Sequence, residues 1–458
     1  MRRHATHRPT IIVTAIAGLV LVGLFTAHVQ AVDTWRIVDR IPLEKVWAGH
    51  PVGFCLITEG DRQFAAYYDA DRRMTVASRR LNERRWTIVK LDEYVGWDTH
   101  NYITMAIDAE GCLHLSGNMH VAPLVYFRSE KPWDITTLRR VEHMVGERED
   151  RCTYPKFLTD PNGRLVFVYR DGSSGNGDRL WNVYDTTSRQ WRRLLDQPLT
   201  SGQGLMNAYP IGPLQDKSGV YHTIWTWRDT PDCATNHDLS YARSADLEHW
   251  TDSRGRRLEL PITLETSDII DPVPAGGGLL NSNVRLGFDA QDRPIASYHK
   301  YDEAGNLQLY NARLEAPGKW VIYQVTDWDY RWEFGGGGSI NTEISFSAVR
   351  VDHQGRLVQD YRHVKYGSGR WVLDEKTLRP IGTVPKERQP QEIVRVRSDF
   401  PGMQVQTSWD RNRGRDGPTA YLLRWETLGR NRDRPRPKPW PEPSDLELFV
   451  LERITESR

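Results

Sequence analysis

An excess of charge of either sign is missing from this sequence. Its 458 residues carry 61 basic and 60 acidic side chains, a formal net charge of +1. Binding to nucleic acid draws on a basic surplus or stripe, and none is visible. Cysteine is scarce: Cys55, Cys112, Cys152 and Cys233 are the four in the chain. Four cysteines allow three pairings, but their spread over so long a chain excludes the dense disulfide framework of a small secreted domain. No amphipathic helix of any length can be traced. Beyond the N-terminus no apolar run is long enough to cross a membrane. What the chain holds in quantity is 17 Trp and 19 Tyr among 36 Gly and 26 Pro. Aromatics punctuated by turn formers suit an all-β protein. Aromatic faces also stack on sugars, and abundance alone does not separate that role from sheet packing.

The first 31 residues read as a signal peptide. Arg2, Arg3 and Arg8 give a positive region, Ile11 to Ala27 an apolar run, and Val29-Gln30-Ala31 small residues for cleavage after Ala31. The alternative is an uncleaved anchor, for which the run is slightly short. Either way the folded part begins near Val32 and lies outside the cytoplasm, secreted or periplasmic.

One turn signature recurs between alternating apolar strands: Asp69-Ala-Asp-Arg72, Asp108-Ala-Glu-Gly111, Asp160-Pro-Asn-Gly163, Asp216-Lys-Ser-Gly219, Asp289-Ala-Gln-Asp292 and Asp352-His-Gln-Gly355. Asp bonds its local backbone and Gly accepts positive φ. A strand bearing tryptophan closes several units, as at Trp86, Trp191 and Trp320. Four strands per unit, repeated at roughly 40–70 residues, predict a single β-propeller of about seven four-stranded blades over residues 32–458. Two stacked β-sandwiches are the runner-up. Residues 430–445, rich in Pro and Arg, read as a linker before a final strand, Glu447 to Leu451, that pairs with Trp35 to Val38. Ser244-Ala-Asp246-Leu-Glu-His-Trp250 resembles the Asp-box turn of sialidase-type propellers, a folding element with a buried tryptophan.

The segment His100 to His120 carries the strongest chemical signal. It is one hairpin, with His100-Asn101 before it and Asn118-Met-His120 after it. A hairpin brings its ends together, so two imidazoles share one rim, and imidazole titrates nearest neutrality. Tyr154 and Arg170 flank the next hairpin in the same way. The two pairs are therefore expected at one rim, in adjacent units. A His, His, Tyr, Arg cluster suits β-elimination beside a uronate. An arginine fork binds the carboxylate and takes up the charge that develops. One group removes the C5 proton and another protonates the leaving oxygen at C4. Neither water nor a metal is required. The competing structural reading packs Tyr154 in a long hairpin and pairs Arg170 with Asp171.

Several segments resemble the BNR-repeat propellers that include the ulvan lyases and the lyases acting on rhamnosyl-glucuronate ends. They are HNYITMAIDAEGCLHLSGNMHVAPLVYFRS, TYPKF with YRDGSSGNGD, WTWRDTPDCATNHDLSYARS, and HKYDEAGNLQLYNARL with WDYRWEFGGGGSI, covering His100 to about Ile340. The resemblance implies a secreted polysaccharide lyase acting on an anionic, uronate-containing glycan. It implies His100 and Tyr154 as the proton-transfer pair, with His120 and Arg170 holding the carboxylate.

Asn101, Tyr209, Arg228, His299 and Tyr301 are candidates for binding substrate, with packing as the competing role for the last four. His222, Cys233 and His237, with Asp229 or Asp232 as a fourth donor, could hold a structural zinc. The competing reading is a hydrogen-bonded His237 and a buried free Cys233. Two other functions compete. A glycoside hydrolase of the rhamnosidase kind calls for a carboxylate pair that is not evident in the second or third unit. A non-catalytic sugar-binding scaffold leaves the intact His, Tyr and Arg without a task.

Overall fold

The computed structural model describes residue 1 and residues 32–387, 389–414 and 417–456. The expected signal peptide, apart from Met1, lies outside the described residues. Among those residues no helix is long and apolar enough to cross a membrane.

Each turn aspartate acts as the sequence suggests. The Oδ1 of Asp108, Asp160, Asp216, Asp289 and Asp352 accepts from the backbone N–H groups two and four residues on, at 2.8–3.0 Å. That double bond fixes the turn and hence the register of the two strands it joins. The alternating residues of those strands then supply the core. Trp225, Trp227, Trp250 and Tyr126 are among its largest fully buried members.

The protein is all-β, but the expected single propeller of about seven equal blades is not what the strand pairing gives. The strands form six separate sheets of four, four, ten, four, four and five strands, not closed on one another. The count from repeated turns fails where two units fuse. Strand Asn176–Asp185 pairs in parallel with Asn207–Gln215 at Gly177 and Asn207. The short strand His120–Ala122 leaves its own hairpin and adds to Cys152–Thr159. The result is one ten-stranded sheet. The chain ends pair as a long ladder, Val32–Val46 against Ser444–Glu456, with Ile37 opposite Leu451. All four cysteines are free and buried.

Candidate active site

Strands Ile103–Ile107 and Leu113–Gly117 pair with Ile103 opposite Gly117. Their outer ends bring His100 and His120 together, ring centroids 4.2 Å apart. Asp98 sits between them. Its Oδ1 lies 2.6 Å from His100 Nδ1 and accepts the His100 backbone N–H at 2.8 Å, and its Oδ2 lies 2.5 Å from His120 Nδ1. Burial opposes charge on Asp98, but its bonds to both histidines outweigh it and hold the carboxyl well below the usual range. Each imidazole thus spends Nδ1 on one carboxylate and leaves Nε2 for the cavity that both rings line.

The move of His120 onto the neighbouring sheet sets it against Thr153. A register shift between Thr153 and Lys156 then re-aims Tyr154, whose φ is +58°. Val121, beside His120, has φ +57°. Left-handed backbone is costly for a tyrosine and more so for a β-branched valine. The strain is local to the place where three side chains must converge. The Tyr154 ring lies 5.8 Å from that of His100 and 6.4 Å from that of His120. Burial raises its phenol above the ordinary tyrosine value, Tyr209 adds to this, and Arg170 opposes it.

Arg170 is buried beneath these rings, its Cζ 4.9 Å from the Tyr154 centroid and 5.8 Å from that of Tyr209. Gly177 on the paired strand makes room, for a Cβ there would sit 2.9 Å from Arg170 Cδ. Nε donates to Gly172 O at 3.2 Å, Nη1 reaches Tyr209 Oη at 3.5 Å, and Nη2 is buried without a partner. Arg228 approaches the same phenol oxygen at 3.4 Å, and Ser174 Oγ lies 2.6 Å from it. Arg228 faces the cavity and Arg170 stands behind the tyrosines.

The cavity has a volume of about 1860 Å³. Six arginines and one lysine line it, and among the described residues no aspartate or glutamate does. The balanced charge of the chain therefore conceals a strongly cationic hollow.

Two contributors escaped the sequence reading. Asp98 announces itself only as a carboxylate two residues before His100. Asp433 lies in the stretch read as a linker, which instead runs across the rim. It accepts from Thr99 N at 3.1 Å, Thr99 Oγ1 at 2.8 Å and Ser339 N at 2.8 Å, and its Oδ2 is 3.6 Å from His100 Nδ1. No local signal marks it.

Of the candidate binding residues, Tyr209 and Arg228 line the cavity, while Asn101, His299 and Tyr301 do not. His299 is 1% exposed, packed on Trp332, Phe334 and Phe346 with Nδ1 on Gly278 O at 2.6 Å. Tyr301 Oη donates to Trp332 O at 2.8 Å. The proposed zinc set does not assemble. His222 faces Arg243 across its ladder, whereas His237 lies opposite Trp227, five residues further along the strand of His222. Both ring nitrogens of each are engaged: those of His222 by Asp216 and Tyr241, those of His237 by Asp229 and Asp238. Among the described residues the group that could hold a metal ion is Asp98, His100 and His120, one donor atom from each lying within 4.8 Å of the others.

Residues 62–328, more than half of the chain, match the sequence profile described as BNR repeat-containing family member. No curated protein matches the chain. Among solved structures it is similar to the polysaccharide lyase Uly1, with 13% identity over 91% of this chain and 99% of that one, at a TM-score of 0.57. It is also similar to a PL25 ulvan lyase, with 15% identity over 92% of this chain and 98% of that one, at a TM-score of 0.59. The ulvan lyase bound to -[GlcA(1-4)Rha3S]- aligns at 0.58. At these identities the likeness is one of fold.

Proposed function

The chain belongs to the BNR repeat-containing family, and from that premise we propose that it is a polysaccharide lyase cleaving a uronate-containing glycan by β-elimination. One observation carries the reading. Two imidazoles whose Nε2 atoms make no hydrogen bond among the described residues, and a protonated phenol, meet at the wall of a cavity lined by cations and, among those residues, by no carboxylate.

The division of roles follows from the groups. The uronate carboxylate sits against Arg228 and His120, with Arg170 adding its charge from behind. His100 Nε2 takes the C5 proton, and Asp98 on Nδ1 stabilises the imidazolium that forms. Tyr154, held protonated by burial, gives its proton to O4. The C5–H and C4–O4 bonds break, C4=C5 forms, and the leaving sugar departs as an alcohol. Hydrolysis needs two carboxylates flanking the bond. Asp98, the carboxylate nearest the histidines, is occupied by both of them. The likeness to structures of polysaccharide lyases, one bound to a glucuronate-containing glycan, supports the substrate class. A divalent ion on Asp98, His100 and His120 would displace this proton transfer, because a metal-bound His100 has no basic nitrogen left for C5.

The test is ultraviolet absorbance during incubation of the protein from Val32 onward with ulvan and with glycans ending in rhamnosyl-glucuronate. A rise, from the double bond conjugated to the carboxylate, is expected. Saturated products, or none from any uronate glycan, would overturn the proposal.

A further inference from the structure

The strap that crosses the rim is bent most sharply where it passes the histidines. Asn431 to Arg434 form a turn, with Arg434 N donating to Asn431 O at 3.1 Å. Its two central residues both have positive φ, Arg432 at +50° and Asp433 at +58°. Turns of that hand favour Gly, Asn or Asp, and an arginine there costs backbone strain. Two sets of bonds hold the turn in place. On one side Arg432 Nη1 donates to Gly335 O at 3.2 Å and to Gly337 O at 3.3 Å. Gly338 permits that approach, because a Cβ there would sit 2.7 Å from Arg432 O. On the other side the Asp433 carboxylate, 10% exposed, accepts from Thr99 N, Thr99 Oγ1 and Ser339 N. Capping those donors calls for an acceptor, but not for a negative charge. Asp433 Oδ2 also lies 3.6 Å from His100 Nδ1, the nitrogen that Asp98 Oδ1 meets at 2.6 Å. Two carboxylates beside one ring nitrogen repel each other, and a positive charge on that ring offsets the repulsion. His120 has Asp98 alone as an acidic partner among the described residues. Asp433 itself does not line the cavity.

We propose that Asp433 is a positioning residue, which from the strap fixes the segment Asp98-Thr99-His100 and makes His100, in preference to His120, the base of the elimination. The role rests on the lyase reading. Thr99 stands between the carboxylate and the imidazole it orients, so its two bonds to Asp433 fix the backbone that carries both. When His100 Nε2 takes the C5 proton, the imidazolium that forms has two carboxylates beside its Nδ1. The electron pair of the C5–H bond becomes the C4=C5 bond, and that of C4–O4 leaves on O4, which Tyr154 protonates. The same transfer to His120 would leave a positive charge facing one carboxylate, already shared with His100. Two histidines of similar placement are thereby made unequal by a residue that touches neither the substrate nor the reacting atoms.

The experiment is a mutant cycle on the full chain, read with the uronate glycan from which wild type forms unsaturated product. Asp433→Asn should lower kcat about tenfold and leave KM within about twofold of wild type. Asp433→Gly guards against poor folding of that variant, because glycine takes the positive φ without strain, and it should lose a similar factor in kcat. The cycle separates positioning from mere support. In a His120→Ala background Asp433→Asn should still cost about tenfold, whereas in a His100→Ala background it should cost less than about twofold. Equal losses in both backgrounds, or a loss carried by KM, would overturn the inference. A second readout needs no turnover. In proton–nitrogen spectra of histidine-labelled protein, with signals assigned from His100→Ala and His120→Ala, Asp433→Asn should move the Nδ1 signal of His100 and leave that of His120 in place. Equal movement of both signals, or of neither, would also overturn it. Unsaturated product from wild type with an unchanged kcat in Asp433→Asn would overturn the inference and leave the lyase standing. No product from wild type would overturn the lyase, and the two histidine signals would still decide whether Asp433 sets His100 apart.

Discussion

His114 and His120 lie six residues apart, and each is bonded to an aspartate, yet the two rings are built for different ends. His114 is wholly buried. Its Nε2 meets Asp108 Oδ2 at 3.1 Å and its Nδ1 meets Tyr126 Oη at 2.7 Å. His222 repeats the arrangement with Asp216 at 3.1 Å and Tyr241 at 2.7 Å. Both rings have spent both nitrogens inside the protein, and burial lowers the pKa of each against the pull of its aspartate. His100 and His120 share Asp98 through Nδ1 and keep Nε2 for the cavity. A histidine–carboxylate bond is thus no mark of chemistry by itself. What separates the site from the scaffold is a left-over nitrogen on a ring that lines the cavity.

Substitutions that remove the left-over nitrogen should act on rate and leave the fold alone. His100→Ala or Tyr154→Phe should lower kcat/KM for elimination about 10³-fold with an unchanged unfolding midpoint. Comparable turnover in both variants would put the chemistry elsewhere. His114→Ala should do the opposite. It empties a site packed on Tyr126, Tyr184 and Trp191, and should cost about 3 kcal/mol in urea unfolding, with little change in kcat/KM per folded molecule.

Asp98→Asn sharpens the contrast. An amide can accept from one imidazole but must donate to the other, so one ring is forced into the wrong tautomer. A loss of about tenfold to a hundredfold in kcat, with an altered pH–rate profile and a normal fold, is expected. A change in stability without a change in the profile would make Asp98 a scaffold residue like Asp108. Metal binding separates the two classes in another way. Zinc titrated against a chromophoric chelator should bind wild type and His222→Ala alike, and His120→Ala about tenfold more weakly or not at all. Weakened binding in His222→Ala would restore the metal set first suggested by sequence.

The six turn aspartates were legible because each acts within four residues of itself, and the hairpin was legible because it brings its own ends together. The meeting of Tyr154 with Arg170 followed for the same reason, since Thr153 lies opposite Arg170. The structural role of His222 was also readable: an aspartate six residues earlier marks it, as it marks His114. What local pattern could not supply was depth and distance. Arg170 reads as a fork that grips the carboxylate and proves to be buried behind two tyrosines. His299 reads as lining and belongs to an aromatic core. Asp433 and Arg411 arrive from more than 300 residues away. The fusion of two units into ten strands turns on one parallel bridge that no repeat count reveals.

The smallest effect lies in the pH dependence of stability, where scaffold histidines dominate. His299 Nε2 is buried without a partner, and burial lowers its pKa from 6.5 to about 4. His50, 2% exposed, is lowered to about 4 for the same reason. Unfolding returns both to 6.5, so between pH 6.5 and 4 the unfolded chain binds more protons than the folded one, and stability falls as pH falls through that window. Below it, protonation of Asp98 removes the bonds that depress its carboxyl, and the fall continues. One such histidine contributes a slope of up to about 1.4 kcal/mol per pH unit. His299→Gln should therefore flatten the stability–pH curve between pH 6.5 and 4 by about 1 kcal/mol per unit, whatever it does to the plateau. His100→Ala, tested alongside, is expected to change the rate and leave that slope largely in place. Equal slopes for wild type and His299→Gln would mean that His299 is reached by water in the folded protein, and the division between scaffold and site histidines would have to be drawn elsewhere.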